Sequence, residues 1–219
     1  YDAWTAYFVI FAPMITYTFG ISHHTLPKLA TLQRSSTRAT LMKIGFNRNT
    51  ALAIVFGAVT FGGLGMRHLY VEQGIAQLQL FIRHTRAETD QGTLLRITLA
   101  WWQLAAGVSY SLLEFPSRII HHLDDNWLAS VRNFLSFIDG TLHVDKVCAG
   151  MPQSARSNDS NLMDSINRLP KLTKPDSLSF NRCRLFMGVT HLSEIATASG
   201  TAIARDAWEG TRAHHTTLL

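Results

Sequence analysis

Arg34, Arg38, Arg48, Arg67, Arg83 and Arg86 are the residues whose type and spacing suit a chemistry, and that chemistry is neutralisation of backbone phosphates. A guanidinium presents a planar fork of donors that matches phosphate oxygens. Among these arginines lie Asn47, His68 and the turn Phe61-Gly62-Gly63-Leu64-Gly65. Gly62, Gly63 and Gly65 admit positive φ, so backbone can approach a sugar-phosphate chain where a side chain would block it. Plainer readings stand beside this one: a solvated face for Arg34 and Arg38, a purely structural turn, and cations at Arg83 and Arg86 that complement a helix dipole.

Other chemistries find less support. Asp124-Asp125 is the only adjacent pair of aspartates, and it directly precedes an amphipathic pattern, so it reads as a helix cap. Its nearest upstream aspartate, Asp90, sits in a polar break and not on a strand, so the carboxylate set of a two-metal polymerase centre is missing. Cys148 and Cys183 are 35 positions apart. A zinc site from His121, Cys148, Cys183 and His191 would need long-range convergence, and no metal site or cofactor is expected in this chain. There is no Gly-x-Ser-x-Gly elbow, Gly-Lys-Thr loop or His-Glu-x-x-His helix.

These residues must be positioned by a fold, and 219 residues at 47% hydrophobic and 16% charged are enough for a real core. The net charge is +5 and the pI near 9.5. Residues 1–110 hold nine Lys or Arg against four Asp or Glu, whereas residues 111–219 hold eleven of each. The excess therefore sits with the glycine turn. The chain opens at Tyr1 without Met, which reads as a piece of a longer protein, and its cysteine usage suits an intracellular setting, nucleus or cytoplasm.

The apolar run Ala3 to Ile21 lacks a basic leader and is interrupted by Pro13, so it reads as two buried helical pieces and no stable membrane association is expected. Leu29 to Ile44 carries a helix with Ser22 or Thr25 as cap, Pro27 in the first turn and Gly45 at the end. Strand and helix compete over Ala51 to Ala58. Val71, Ile75, Leu78 and Ile82 form one helical stripe, with Gln73 and Gln77 elsewhere around the helix. Thr93 to Ala106, with Trp101 and Trp102, is apolar on nearly every side and is expected deep in the fold. Trp127 to Ile138 makes another amphipathic helix, Met151 to Ser160 a linker, Leu162 to Leu169 a short helix and Leu178 to Val189 a basic one. The expected fold is mainly α, a bundle of about eight helices, with a possible hairpin near 51–66 or 201–208. Two regions are expected, 1–150 as a helical domain and 151–219 as a linker with a smaller helical segment.

A family resemblance follows from several of these stretches. The aromatic opening with its internal proline, Lys43-Ile44-Gly45-Phe46-Asn47-Arg48-Asn49, the turn Phe61 to Gly65, and Arg67-His68-Leu69-Tyr70-Val71-Glu72-Gln73-Gly74-Ile75 together resemble the region after the polymerase domain in non-LTR-retrotransposon-type reverse transcriptases of algal and other protist genomes. Trp127 to Leu135, Phe180-Asn181-Arg182-Cys183-Arg184-Leu185 and Leu192-Ser193-Glu194-Ile195 through Gly200 are similar to the downstream helical part of such frames. The resemblance implies a non-catalytic, thumb-like segment that holds an RNA or DNA duplex behind the palm. By the same implication its partners include the palm and fingers of the parent chain, and Mg2+ belongs to that missing palm. Two alternatives remain open: a structural or protein-interaction helical domain without nucleic acid, and a membrane-associated helical protein held by Ala3 to Ile21.

Overall fold

The computed structural model describes residues 2–123, 125–144 and 156–205. Asp124, Cys148, His214, His215, the first part of the expected linker (Met151 to Ala155) and Trp208 lie outside them. The fold is mainly helical, with no strand among the described residues. Two compact units account for the chain: Tyr1–Gly92 with Asp125–Ile138, and Thr93–Asp124 with Asp139–Leu219. This partition follows packing and differs from the composition boundary at 150, because a later helix returns to the first unit.

The first unit opens with α1 (Asp2–Ala6), a π turn (Tyr7–Phe11) and α2 (Ala12–Thr16). Backbone stays helical through Phe11 and Ala12, so Pro13 does not break the run as expected. The wider turn, closed by the Ala12 N–H on the Tyr7 carbonyl, absorbs the proline. Burial is also one-sided: Tyr7, Ala12 and Phe19 are inside, while Val9, Ile10, Met14 and Tyr17 are exposed.

Next comes α3 (Leu26–Lys43), with Thr25 at the cap position and Pro27 in the first turn. It ends at Gly45 (φ +85°), where the Phe46 N–H reaches the Leu41 carbonyl at 2.9 Å. Over 51–66 there is a single-turn helix, α4 (Leu52–Phe56), followed by the glycine turn in place of a hairpin. Then α5 (Leu69–Arg86) crosses the unit, and α7 (Trp127–Phe137) packs on it. Asn126 caps α7 by accepting from Ala129 N at 2.8 Å, so Asp125 stands one residue before the cap. Trp127 ties α7 to the opening segment by donating to the Gly20 carbonyl at 2.9 Å. Two apolar clusters hold these elements: one around Tyr7, Ala12, Leu41, Val55 and Met66, the other around Phe19, Leu29, Leu69, Tyr70 and Phe134.

The expected stripe of α5 is met only in part: Val71 and Leu78 pack half-buried on the second cluster, but the most buried positions include polar ones. Gln73, Gly74 and Gln77 are inside, whereas Ile75 is 44% exposed. Gly74 explains part of this, since a Cβ there would lie 2.1 Å from the Phe134 ring, leaving room for aromatic packing that any side chain would block. The glutamines explain the rest, because each bonds the backbone of a neighbouring segment.

The body of the second unit begins with α6 (Asp90–Ala106), whose first three residues belong to the first unit. It is one-sided and not buried all round: Leu99 and Trp102 are inside, while Leu94, Ile97 and Trp101 are exposed. Its carbonyl end is closed by side chains of the same unit. Arg184 donates to Leu104 O and Ala105 O at 2.7 and 3.2 Å, and His122 Nε2 lies 2.8 Å from Ala106 O. Gln103 donates to Val108 O and Tyr110 O and accepts from Leu112 N, fixing the following turn. Further on are α8 (Leu162–Ile166), capped by Asn161, and α9 (Lys174–Met187), opened by a Thr173/Asp176 capping box. Among the described residues, an isolated antiparallel bridge, Ala196 to Ile203, lies near the expected C-terminal hairpin, whose positions 206–208 fall outside them.

Candidate functional site

Three buried glutamines tie the segments that carry the basic residues of the first unit to one another. Gln33 Nε2 donates to Arg67 O at 2.5 Å, and its Oε1 accepts from Leu69 N at 3.0 Å. Gln73 pairs with both backbone groups of His24, at 3.1 and 2.9 Å. Gln77 donates to Ser22 O at 2.7 Å and accepts from Ser130 Oγ at 3.0 Å. Each brackets backbone that no regular element satisfies, which is why these amides lie inside despite their polarity.

The pairings also give the layout. As numbers rise from Ser22 through His24 to Gln33, their partners fall from Gln77 through Gln73 to Leu69 and Arg67, so α3 and α5 run antiparallel. Arg34 therefore stands beside the Arg67 level, and Arg38 a turn further along α3. Arg48 belongs to the same end, in the turn after α3. Arg83 and Arg86 lie at the other end of α5, about 21 and about 26 Å from Leu69 at 1.5 Å per residue. The six arginines thus form two groups along one helix pair rather than a single cluster.

All six are exposed. Arg67 meets Glu72 at 3.6 Å, and its carbonyl also accepts from Tyr7 Oη at 3.3 Å. Burial pushes the Tyr7 phenol above 10.0, with the Arg67 charge opposing it. Among the described residues, Arg34, Arg38, Arg48, Arg83 and Arg86 have no carboxylate within 4 Å. Asn47 builds its own turn, its Oδ1 accepting from Asn49 N at 2.8 Å. His68 is turned away from this chemistry: its ring lies 5.0 Å from Phe56 and 6.3 Å from Phe137, and burial lowers its pKa below 6.5. Gly62 (φ +80°) and Gly65 (φ +63°) take the positive φ expected of them, while Gly63 rests directly on Gly57.

Elsewhere in the first unit, His23, His24, Tyr70 and Asp125 line a polar hollow of about 300 Å³. Among the described residues no group of three or more His, Cys, Asp or Glu is gathered to hold a metal ion. No helix among them is long and apolar enough to cross a membrane.

Sequence reasoning missed the bracketing glutamines, Arg184 and the exposed Phe61. One signal for the site was available: residues 3–71 hold six Lys or Arg and no Asp or Glu. The comparisons add no family, since no protein-family model, curated protein or solved structure matches the chain.

Proposed function

We propose that the first unit binds the phosphate backbone of a nucleic-acid duplex, as the non-catalytic, thumb-like segment of a reverse transcriptase of retroelement type. The observation that carries this reading is the carboxylate-free run 3–71, with Arg34, Arg38 and Arg48 exposed and unpaired among the described residues. Glu72, paired with Arg67, is the one carboxylate within 4 Å of the six arginines among the described residues, and exposed guanidinium groups lose little in exchanging water for phosphate. The spread of the arginines along α3 and α5 suits contact with a long backbone better than capture of a small anion. Support for the parent class is the resemblance of the stretches around Asn47, Gly63 and Gln73.

The test is titration of a labelled primer-template duplex at about 50 and about 200 mM salt, a range over which phosphate-dominated binding falls steeply. Binding at low salt that weakens at high salt, and weakens again in Arg48→Ala/Arg67→Ala, is the expected result. An absence of binding at low salt, or indifference to both substitutions, overturns the reading. A second reading, an interaction domain without nucleic acid, draws on the exposed Val9, Ile10, Met14 and Tyr17. Under it, removing these side chains abolishes association with a protein partner while duplex titrations stay flat.

A further inference from the structure

The tip of the glycine turn is built tightly and displays an aromatic ring. Ala58 O accepts from Phe61 N and Gly63 N, both at 3.0 Å, and Gly57 O accepts from Gly65 N at 2.8 Å. Leu64 N and Met66 N reach back to Ile54 O and Val55 O at 2.7 and 2.9 Å. Gly63 packs so closely on Gly57 that a Cβ would lie 2.1 Å from the Gly57 carbonyl oxygen, and a Cβ on Gly65 would lie 2.9 Å from Val59 Cγ2. Backbone and glycines thus fix one conformation for Val59-Thr60-Phe61. The side chains that tip displays stand in solvent: Val59 is 71% exposed and Phe61 91%.

We propose that Phe61 is a stacking platform for an unpaired base of the nucleic acid bound by the first unit. This rests on the phosphate-binding reading above and adds the kind of strand recognised, one with unstacked bases beside the duplex. Phe offers a π face and no donor or acceptor, so such contact is sequence-tolerant. Phe61 and Arg67 are six positions apart, a reach of no more than about 22 Å even fully extended, so the ring lies within a few nucleotides of a strand held at Arg67. The carboxylate closest in sequence to the tip is Glu72, eleven positions on and already paired with Arg67. A lipid surface would be gripped in proportion to the apolar area inserted, and the tip offers only one ring and one valine.

The experiment uses the full chain with two fluorescein-labelled probes, a mixed-sequence single strand and a fully paired duplex, and compares wild type with Phe61→Leu and Phe61→Trp. Phe61 is exposed, so circular dichroism should be unchanged in both variants. The expected result is that Phe61→Leu weakens single-strand binding about fivefold or more, as loss of base stacking does. Duplex binding and both salt slopes stay as in wild type, and Phe61→Trp retains single-strand affinity. Equal losses on both probes, or no loss on the single strand, overturn the inference while leaving phosphate binding intact. A loss confined to phosphatidylserine vesicles, offered as a third probe, overturns it in favour of lipid. If wild type binds neither oligonucleotide, the phosphate reading itself fails, and this inference with it.

Discussion

Arg184 in the second unit and Arg34, Arg38 and Arg48 in the first use the guanidinium in opposite ways. In the second, Arg184 is 1% exposed and serves as interior framework, with donors on Leu104 O, Ala105 O and Asn181 Oδ1. Arg118 lies over the Tyr110 ring at 4.3 Å. In the first unit Arg34, Arg38 and Arg48 point to solvent and meet no carboxylate within 4 Å among the described residues. Charge follows the same division: nine Lys or Arg against five Asp or Glu in the first unit, eleven against ten in the second. Much of the interior polar work of the first unit is done by Gln33, Gln73 and Gln77, while Arg34, Arg38 and Arg48 stay at its surface. The difference separates arginines that make the fold from arginines available to a partner.

Arg184→Met puts this division under the greatest stress. It fills the space but strands the Leu104 and Ala105 carbonyls at the end of α6, and each unsatisfied buried group costs about 1–3 kcal/mol. A loss of about 3 kcal/mol in urea denaturation is expected. Gly107→Ala should fall nearby, since φ there is +62° and the new Cβ would lie 2.6 Å from Arg184 Cζ. A neutral outcome for Arg184→Met would make it one more surface-like arginine.

The glutamine framework is tested by a pair on α5. Gln73→Met removes both bonds to His24 and should cost about 2 kcal/mol, while Ile75→Gln, at a half-exposed site, should stay within about 0.5 kcal/mol. Stability by chemical denaturation decides it. An apolar-stripe reading of α5 expects the reverse order.

That reversal marks how much is legible from residues alone. The helical class, the ends of α3, the short turn at α8 and the amphipathic α7 follow from local patterns: Pro27 and Gly45, the spacing of Leu162, Met163 and Ile166, and the spacing of Val131 and Phe134. What fails depends on distant partners. Gln73 and Gln77 look like solvent positions until Ser22 and His24 lie opposite them. Pro13 looks like a break until a π turn precedes it. The six arginines read as cations in the sequence and are exposed in the fold. His68 is not separable from them by sequence, because Phe56 and Phe137 that enclose it are twelve and sixty-nine positions away.

Each unit also holds one histidine that burial keeps neutral, His68 in the first and His122 in the second, and both have pKa values lowered from 6.5. Above 6.5 folded and unfolded forms are alike neutral and stability is full. As pH falls through 6.5 the unfolded imidazoles take protons that the folded ones resist, so stability is lost toward lower pH. Urea midpoints between pH 8 and pH 5 should fall for wild type. His68→Phe should flatten that slope in part, leaving the remainder to His122.

The mildest change in stability belongs to the exposed arginines. Arg34→Ala/Arg38→Ala removes two exposed side chains with no ion pair among the described residues, on a helix where Ala is the best former, so unfolding should shift by no more than about 0.5 kcal/mol. The same variant should weaken duplex binding and lower the salt slope by about 0.9 for each phosphate no longer neutralised. Stability unchanged with binding reduced is the signature of cations held for a partner. A large loss of stability would instead place Arg34 and Arg38 with Arg184 as parts of the fold, and the charge difference between the units would then carry no functional meaning.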